Sequence, residues 1–410
     1  MNRLLILLVC ITTGSMFSYA QDSLWTRKSD IIYARKHAAA KLVDGKIYLI
    51  GGLWNGYEVE AYNIETDTWE TKTRMPTPRA FLGSGVVDGK IYILGGAIQN
   101  TNLQKVIEMY DPETDTWTTA GSLNEIRFGM GSCVYENKIY LFGGRTGSGP
   151  GPADQNVEAW DPVTGEWISD LSEMPTARWE PECVLIDSLI YVLAGMVNSN
   201  SGHTAVMEAY NPQTDTWTKK ASLPEKRIGG NIATVNGKIY FFGGSSGGPP
   251  QKNVWEYDPA LDQWYILPEM PFGWNVMSSC VVDSLIYLMA GSKVGWPLND
   301  NFREVYTYRP DSNVPRTIYE PEVPDLTEGA DVSEHIRIFP NPAINTLHIE
   351  SENSPNEVFF RIFNICGVLQ MRGIANQGYV NIDHLNEGVY FIELVDQNHR
   401  VAHKFIKTIH

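Results

Sequence analysis

Short apolar segments separated by polar turns recur at a regular interval through most of the chain. Each interval contains an isoleucine-tyrosine pair, then a doublet of small residues, and then a tryptophan, and successive copies lie 44 to 51 residues apart. The isoleucines of these pairs are Ile47, Ile91, Ile139, Ile190, Ile239 and Ile286. A period of this length is typical of repeat architectures and has room for four short strands. The pattern therefore predicts an all-β fold made of six similar units.

The tryptophans are out of phase with the units, and this offset predicts how the first and last units join. They are Trp25, Trp69, Trp117, Trp167, Trp217 and Trp264. Trp25 precedes the first doublet, Gly51-Gly52, whereas no tryptophan stands at the corresponding place after the last doublet, Ala290-Gly291. The simplest arrangement lets the N-terminal strand complete the last unit. The sequence thus predicts a six-bladed β-propeller closed by its N-terminal strand, without a long exposed strand edge.

An arginine follows each tryptophan by ten or eleven residues, and a tryptophan replaces it in the last copy. These positions are Arg35, Arg79, Arg127, Arg178, Arg227 and Trp274. If they face the central opening, the guanidinium groups repel one another unless an anionic ligand or fixed carboxylates lie among them. Equivalent glutamates in four units offer the second solution, through ion pairs between blades. They are Glu60, Glu108, Glu158 and Glu208. Ligand binding and structural pairing both remain open.

The same residues resemble the kelch family of β-propellers, and the resemblance covers about residues 24–309. It rests on the Asp-Gly-Lys-Ile-Tyr segment at 44–48, the glycine doublets, the Glu-x-Tyr-Asp segment at 108–111, and the Thr-Asp-Thr-Trp segments ending at Trp69, Trp117 and Trp217. The last copy departs most, because Tyr306 stands where the glutamate is expected and Trp274 replaces the arginine. The resemblance implies the propeller fold far more firmly than any one function.

Both ends of the chain predict export. Residues 1–20 contain Arg3, an apolar run at 4–11 and a Ser-Tyr-Ala cleavage signal, which is typical of a secretory signal peptide. We expect the propeller over residues 21–313, a linker rich in proline and acidic residues over 314–335, and a small β-sandwich over 336–410. No segment has the length of a transmembrane helix.

The last domain resembles the C-terminal type A sorting domain of type IX secretion substrates. The residues that carry the resemblance are Pro340, Asn341, Pro342, Gly388, Tyr390, Lys404 and Lys407. It implies recognition by the type IX secretion machinery and a place outside the cell or on the surface of a Gram-negative, Bacteroidota-like bacterium. Whether the tail is cleaved, and whether the cargo is released or anchored, stays open.

The amino-acid composition limits the classes of binding partner and cofactor that we expect. The formal charge of −16 and the pI near 5.0 argue against nucleic acid and anionic membranes. The cysteines give no disulfide framework, and Cys133, Cys183 and Cys280 are interpreted as buried packing residues. We expect a monomer without a cofactor. A copper site in particular lacks its ligands, because the propeller segment contains only His37 and His203 among histidines.

Candidate ligand contacts lie on the face that carries the variable loops after the doublets. Trp179, Trp274 and Trp296 are expected there, and exposed rings suit both sugar stacking and protein contact. Glu180 and Glu182, beside Arg178, are candidates for an acid and a base. The first hypothesis is a secreted or surface-displayed module that binds a glycan or an extracellular protein. The alternative is a metal-free enzyme similar to kelch-type sialic acid mutarotases. A purely structural role in the surface matrix is the third.

Overall fold

The structure is a computed structural model that divides into two compact units, one up to Tyr319 and one from Glu320. It describes residues 24–98, 102–147, 152–197, 202–294, 300, 302–310, 313–319, 336–351, 358–364, 369–375, 378–395 and 400–408. The predicted signal peptide and Trp296 lie outside these residues. Within the described ranges, no helix has the length and apolar character that crossing a membrane would require.

The first unit consists of six antiparallel sheets, which we number as blades 1 to 6 in chain order. Blade 1 contains Ala39–Val43, Lys46–Ile50, Val59–Asn63 and Thr68–Thr71. Blade 2 contains Gly83–Val87, Lys90–Leu94, Val106–Asp111 and Thr116–Ser122, with a small hairpin, Ala97–Ile98 and Asn102–Leu103, beside it. Blade 3 contains Gly131–Tyr135, Lys138–Phe142, Val157–Trp160 and Trp167–Ile168. Blade 4 contains Glu182–Ile186, Leu189–Leu193, Met207–Asn211 and Thr216–Lys220. Blade 5 contains Ile228–Val235, Lys238–Ser245, Val254–Asp258, Gln263–Leu267 and Thr317–Ile318. Blade 6 contains Ser278–Val282, Leu285–Met289, Val305–Tyr308 and Trp25–Lys28.

The first strand of each blade is the innermost one. Each of these strands contacts the first strands of the two neighbouring blades, and the sixth contacts the first, so they form a continuous ring. The N-terminal strand Trp25–Lys28 pairs antiparallel with Val305–Tyr308 of blade 6, in the register Trp25 with Tyr308. This is the all-β propeller fold that the repeats predict.

The apolar core lies between neighbouring blades. Tyr48 and Ile50 of blade 1, for example, pack in one cluster with Ile91, Ile93 and Tyr110 of blade 2. The isoleucine of every isoleucine-tyrosine pair is fully buried in such a layer. Since both faces of each blade are covered by its neighbours, the second strands carry nearly continuous apolar runs.

Five of the six recurring tryptophans connect the outer strand of their blade to the preceding blade. The indole nitrogen of Trp69 in blade 1 donates to the carbonyl oxygen of Ser29, which follows the N-terminal strand of blade 6, at 2.9 Å. Four equivalent bonds, from Trp117, Trp167, Trp217 and Trp264, span 2.8 to 3.2 Å. The repeated tryptophan thus satisfies a backbone acceptor between blades while its ring packs on the neighbouring tyrosine.

The segment after blade 6 differs from the predicted linker. Thr317–Ile318 pairs with the outer strand Gln263–Leu267 of blade 5 as a fifth strand. Arg316 forms an ion pair with Glu256 at 3.0 Å, and the Tyr319 hydroxyl donates to the carbonyl oxygen of Pro224 at 2.8 Å. Residues 316–319 therefore belong to the propeller unit, because an open outer edge offers backbone groups to pair with.

The second unit contains two antiparallel sheets. One is formed by Ile336–Phe339, Thr346–Ser351 and Tyr379–Asn381, the other by Leu369–Ile374, Phe359–Asn364, Gly388–Val395 and Arg400–Lys407. Leu347 and Val380 of the first sheet share one apolar cluster with Ile362, Ile392 and Phe405 of the second. The unit is thus a small β-sandwich.

Candidate functional site

The five repeated arginines are buried inside the blades. Their exposed fractions are 0 to 1%. None of them lines the central cavity. A ligand in the central opening therefore meets other side chains, and the geometry favours the structural alternative for this set.

Four of the arginines pair with the equivalent glutamates of their own blade. Arg79 lies 2.9 Å from Glu108. The other three pairs are Arg35 with Glu60, Arg127 with Glu158, and Arg178 with Glu208. Each pair joins the segment that enters a blade to the third strand of that blade, so the expectation of ion pairs between blades is corrected. The glutamates also accept hydrogen bonds from the entering segment, as Glu108 does from the Thr77 hydroxyl at 2.9 Å.

The last two blades replace this pair with aromatic contacts. Trp255 occupies the glutamate position of blade 5, and the Arg227 guanidinium lies 4.7 Å from its ring centroid. In blade 6, Trp274 meets Tyr306 edge to face at 6.2 Å, and its indole nitrogen donates to the carbonyl oxygen of Ala290 at 2.7 Å. Trp274 is 1% exposed, so the structure does not place it where a ligand could contact it.

A belt of backbone hydrogen bonds explains why the arginine side chain can be replaced. In every blade the second residue of the doublet donates its amide to the carbonyl oxygen of the next blade's arginine position. The six bonds run from Gly52 to Arg79, Gly96 to Arg127, Gly144 to Arg178, Gly195 to Arg227, Gly244 to Trp274 and Gly291 to Arg35, at 2.8 to 3.1 Å. Because only backbone atoms take part, the belt continues through Trp274.

Alanine in this belt is expected to destabilise the propeller. Gly96 has φ +91°, and a Cβ atom there would lie 2.6 Å from the carbonyl oxygen of Ala80, whereas Gly89 has φ +70° and open space around it. Both substitutions place alanine at positive φ, so their difference isolates the steric clash. We expect Gly96→Ala to lower the free energy of unfolding by about 2 kcal/mol more than Gly89→Ala in denaturant titrations. Equal losses would contradict this account.

All six blades line a central cavity of 280 Å³. The end at which the chain enters the innermost strands, which we call the mouth, carries one residue per blade, two positions after each arginine or Trp274. These are His37, Phe81, Gly129, Glu180, Gly229 and Val276, and all have φ between +48° and +63°. Four backbone hydrogen bonds of 2.6 to 3.3 Å link neighbouring members of this ring. Left-handed backbone is costly for non-glycine residues, β-branched ones above all, and such strain is concentrated at functional sites.

Blade 4 places two carboxyl groups opposite two basic groups of blade 1. Glu180 Oε2 lies 3.9 Å from His37 Nδ1 at the mouth, with both side chains at most 13% exposed. One step deeper, Glu182 and Lys41 line the same cavity. Blades 1 and 4 are separated by two blades in either direction around the ring, so these groups approach from opposite walls.

Burial shifts the protonation of these groups. It raises the pKa of Glu180 to about 8, and repulsion from Glu182 adds to the effect. Burial also raises the pKa of Glu182 to about 8, against the opposing influence of Lys41. The pKa of His37 falls to about 3, because burial and the neighbouring Lys36 both disfavour the imidazolium. At neutral pH the His37 imidazole is therefore neutral, and the Glu180 and Glu182 carboxyl groups are mostly protonated but can still exchange protons.

Uncharged polar groups complete the lining. Asn231 donates to the carbonyl oxygen of Met277 at 3.1 Å, but its own buried side-chain oxygen has no hydrogen-bond partner within the described part of the chain. Ser278 donates to the carbonyl oxygen of Ala38 at 2.8 Å. A free acceptor beside carboxyl groups suits a ligand with several hydroxyl groups.

Trp179 lies beside the mouth. Its ring would be 3.2 Å from a Cβ atom on Gly129, and the Arg145 guanidinium lies 5.1 Å from its ring centroid. The indole nitrogen is buried and lacks a hydrogen-bond partner among the described residues. Of the three predicted tryptophans, Trp179 adjoins the cavity, Trp274 is buried elsewhere, and Trp296 lies outside the described residues.

The thiols lie near the deeper part of the cavity. Burial raises the pKa of both Cys133 and Cys280 to about 12, and raises that of Cys183 well above its usual range. Thiols in this state are poor nucleophiles, in accord with the packing interpretation. Among the described residues, no group of three or more histidine, cysteine or acidic side chains is arranged to hold a metal ion.

The predicted sorting motifs come together in the second unit. The Asn341 side chain donates to the carbonyl oxygen of Lys404 at 3.2 Å and accepts from the Ile406 amide at 3.0 Å. Pro340 and Pro342 flank this residue. Gly388 pairs with Lys407, and the Tyr390 ring stacks on Phe405 at 5.6 Å. The opening and the ending of the domain thus form one structural unit.

Comparisons with known protein families agree with both units. The KLHDC2/KLHL20/DRC7 Kelch-repeats domain matches residues 118–291, and the Kelch motif matches residues 34–76 and 78–124. The Secretion system C-terminal sorting domain matches residues 337–408. The chain contains kelch repeats followed by a type IX sorting domain. The sorting domain supports secretion or a cell-surface location in a Bacteroidota-like bacterium.

Individual relatives share only part of their length with this kelch protein. Kelch-like protein terF of Aspergillus terreus is 34% identical over 146 residues, 32% of this chain and 31% of that protein. Kelch-like protein 23 of Homo sapiens is 27% identical over 157 residues, 38% of this chain and 28% of that protein. The chain thus spans less than a third of the length of either relative. The solved "Structure of YjhT" covers 71% of this chain and 99% of its own, with a TM-score of 0.60 and 16% identity, which shows the fold alone.

Sequence reasoning missed three polar residues of this kelch channel. His37, Lys41 and Asn231 line the cavity together with the predicted Glu180 and Glu182. Counting from the arginine register would have found the mouth ring, because Gly129 and Gly229 at the same interval indicate a left-handed position.

Proposed function

We propose that this protein is an exported kelch module that binds a sugar at the mouth of its central channel. The observation that supports this most is the polar cavity of 280 Å³ lined by Glu180, Glu182, His37 and Asn231. Its volume is close to the lower end of the range for small-molecule sites. Carboxyl, amide and imidazole groups supply the donors and acceptors that sugar hydroxyl groups need.

The position of Trp179 supports a ring-shaped ligand. The half-buried Trp179 indole lies beside the mouth, where the part of the ring that is not covered offers an apolar surface to a sugar; its nitrogen is buried, and the Arg145 guanidinium lies 5.1 Å from its ring centroid. The concave geometry favours a small ligand over a protein partner, since a stable protein interface needs about 800 Å² of surface on each side.

The electrostatics favour neutral or amine-bearing sugars over acidic ones. The repeated arginines, which suggested an anionic ligand, are buried in the blades. The channel instead carries Glu180 at the mouth, opposite the neutral His37, and Glu182 one step deeper. Above pH 8 these carboxylates would repel an acidic sugar.

Isothermal titration calorimetry on the chain from Gln21 tests this proposal. A panel of neutral, amino and acidic methyl glycosides is titrated at pH 7 into the wild type, Glu180→Gln and Glu113→Gln. Glu113 is an exposed carboxylate in an outer turn and serves as the matched control. We expect binding of a neutral or amino glycoside that Glu180→Gln weakens about ten-fold, corresponding to the loss of one hydrogen bond donated by the protonated carboxyl group. Binding that Glu180→Gln leaves unchanged would reject the mouth as the site.

Interconversion of sugar anomers is the second candidate function. The observation that favours it is the pair of carboxyl groups with pKa values of about 8, since acid-base catalysts work best near the ambient pH. Exchange spectroscopy by NMR on the free sugar that corresponds to the bound glycoside measures this activity. Binding without accelerated exchange would leave a binding module only.

A further inference from the structure

Lys41 occupies an unusual place in the channel. It lies on the innermost strand of blade 1 and lines the central cavity, at the level where blades 3 and 6 carry Cys133 and Cys280. Within the ranges that the structure describes, its ammonium nitrogen has neither a hydrogen-bond partner nor an ion-pair partner at close range. The Lys41 side chain is half-buried, and partial removal of an uncompensated charge from water is costly.

The groups around Lys41 do little to hold it in the charged form. Cys280, Cys133 and Glu182 are the titratable groups that influence it. Both thiols remain protonated near neutral pH, and the Glu182 carboxyl is itself buried. Burial consequently lowers the pKa of the Lys41 ammonium, which increases the fraction of free amine.

The surface lysines on equivalent hairpins provide a contrast. Lys90 lies 2.5 Å from Asp111, and Lys238 lies 2.5 Å from Asp258. The Asp111 carboxylate raises the pKa of Lys90 through a hydrogen bond. Lys90 is therefore more protonated than Lys41 at any neutral pH, and only the free amine is nucleophilic.

We propose that Lys41 is a carbonyl-reactive amine that captures aldehydes in the channel, including the open-chain form of a reducing sugar, as a reversible imine. Three observations carry this: the enclosed position of Lys41 on the cavity wall, its lack of a close partner among the described residues, and a carboxyl group on the opposite wall. Desolvated lysines of this kind are the residues that form Schiff bases. The inference deepens the proposed function, on which it rests for the access of a sugar to the channel.

The reaction needs no oxidant or reductant. The Nζ lone pair attacks the carbonyl carbon, a C–N bond forms, and the carbonyl oxygen takes a proton from Glu182. The carboxylate then removes a proton from nitrogen, which gives the neutral carbinolamine. The re-formed carboxylic acid protonates the hydroxyl group, water leaves, and the nitrogen lone pair forms the iminium ion. Addition of water reverses every step and releases the aldehyde.

Reductive trapping tests the proposal. The chain from Gln21 is incubated at pH 7 with glycolaldehyde and cyanoborohydride, and the adducts are located and timed by peptide mass mapping. We expect Lys41 to be modified about ten-fold faster than Lys90. Equal rates, or no adduct on Lys41, would overturn the proposal. This comparison is made within the wild-type protein and does not depend on the folding of any variant.

Two variants and the methyl glycosides test whether the fast adduct belongs to Lys41 and whether it depends on the proposed function. Lys41→Met, checked for folding by circular dichroism, is expected to lose the fast adduct, and Lys90→Met is expected to keep it. A fast adduct that persists in folded Lys41→Met would overturn the assignment. Methyl glycosides cannot open to an aldehyde, so their binding reports on the proposed function alone. Glycoside binding without trapping would leave the proposed function standing and reject the imine.

Discussion

Replacing Arg79 with methionine is expected to destabilise the propeller by about 3–5 kcal/mol, because it leaves the buried Glu108 carboxylate without a counter-charge. The two side chains are 0% and 5% exposed and lie 2.9 Å apart. Chemical denaturation monitored by tryptophan fluorescence would measure the loss. Arg74, whose side chain is 66% exposed in its contact with Glu58, is the matched control. Arg74→Met is expected to cost at most about 1 kcal/mol.

The double variant Arg79→Met/Glu108→Leu separates charge from packing. Buried ion pairs replaced together by apolar residues are often nearly neutral in stability. Blade 6 already contains such a replacement, since Trp274 and Tyr306 occupy these positions. We expect the double variant to recover to within about 2 kcal/mol of the wild type, after the loss of the Thr77 hydrogen bond to Glu108. A double variant as unstable as Arg79→Met would show that the pair acts through shape and not through charge.

Replacing Glu180 with glutamine is expected to stabilise the protein at alkaline pH, by a free energy of unfolding on the order of 4 kcal/mol at pH 9. The pKa of this carboxyl is raised to about 8 from 4.5, so the folded state holds its proton more tightly than the unfolded state. Its contribution to stability is complete below pH 4.5 and is lost as the pH rises through 8. Glutamine cannot ionise, so the variant escapes this loss.

Thermal and urea unfolding between pH 4 and 9 measures the effect. The stability difference between Glu180→Gln and the wild type should be small at pH 4 and grow towards pH 9. Because Glu180 and Glu182 repel each other, the two carboxyl groups titrate as a pair, and the double variant should show a larger difference than either single one. The exposed Glu113→Gln is the control. A pH-independent difference would place Glu180 in contact with solvent.

The register of the repeats could be predicted from the sequence, whereas side-chain direction could not. The interval from Trp25 to Arg35 matched that from Trp69 to Arg79, and this equality indicated that the N-terminal strand belongs to a later unit. The arginine side chains, however, lie outside the channel lining and pair with the third strand of their own blade. Residue type and spacing are the same for a guanidinium that faces a channel and for one that faces a glutamate.

Backbone conformation accounts for the part of the site that was missed. Two positions beyond the arginine the chain turns through a left-handed residue, and this turn directs His37 and Glu180 to the mouth. The nearness of Glu180 and Glu182 to Arg178 in the sequence predicts a shared site, but that arginine is paired with Glu208. The local sequence around Lys41 does not indicate a site, because the residues that surround this side chain come from other blades.

The pairing of Trp25–Lys28 with Val305–Tyr308 also has a kinetic consequence. These strands stand at opposite ends of the propeller sequence, so the last sheet forms only after the chain has searched for its most distant contact. Such non-local closure slows folding, because a large loop entropy is lost before the contact is made. The sheet that joins the two ends of the propeller is therefore expected to be the last to form.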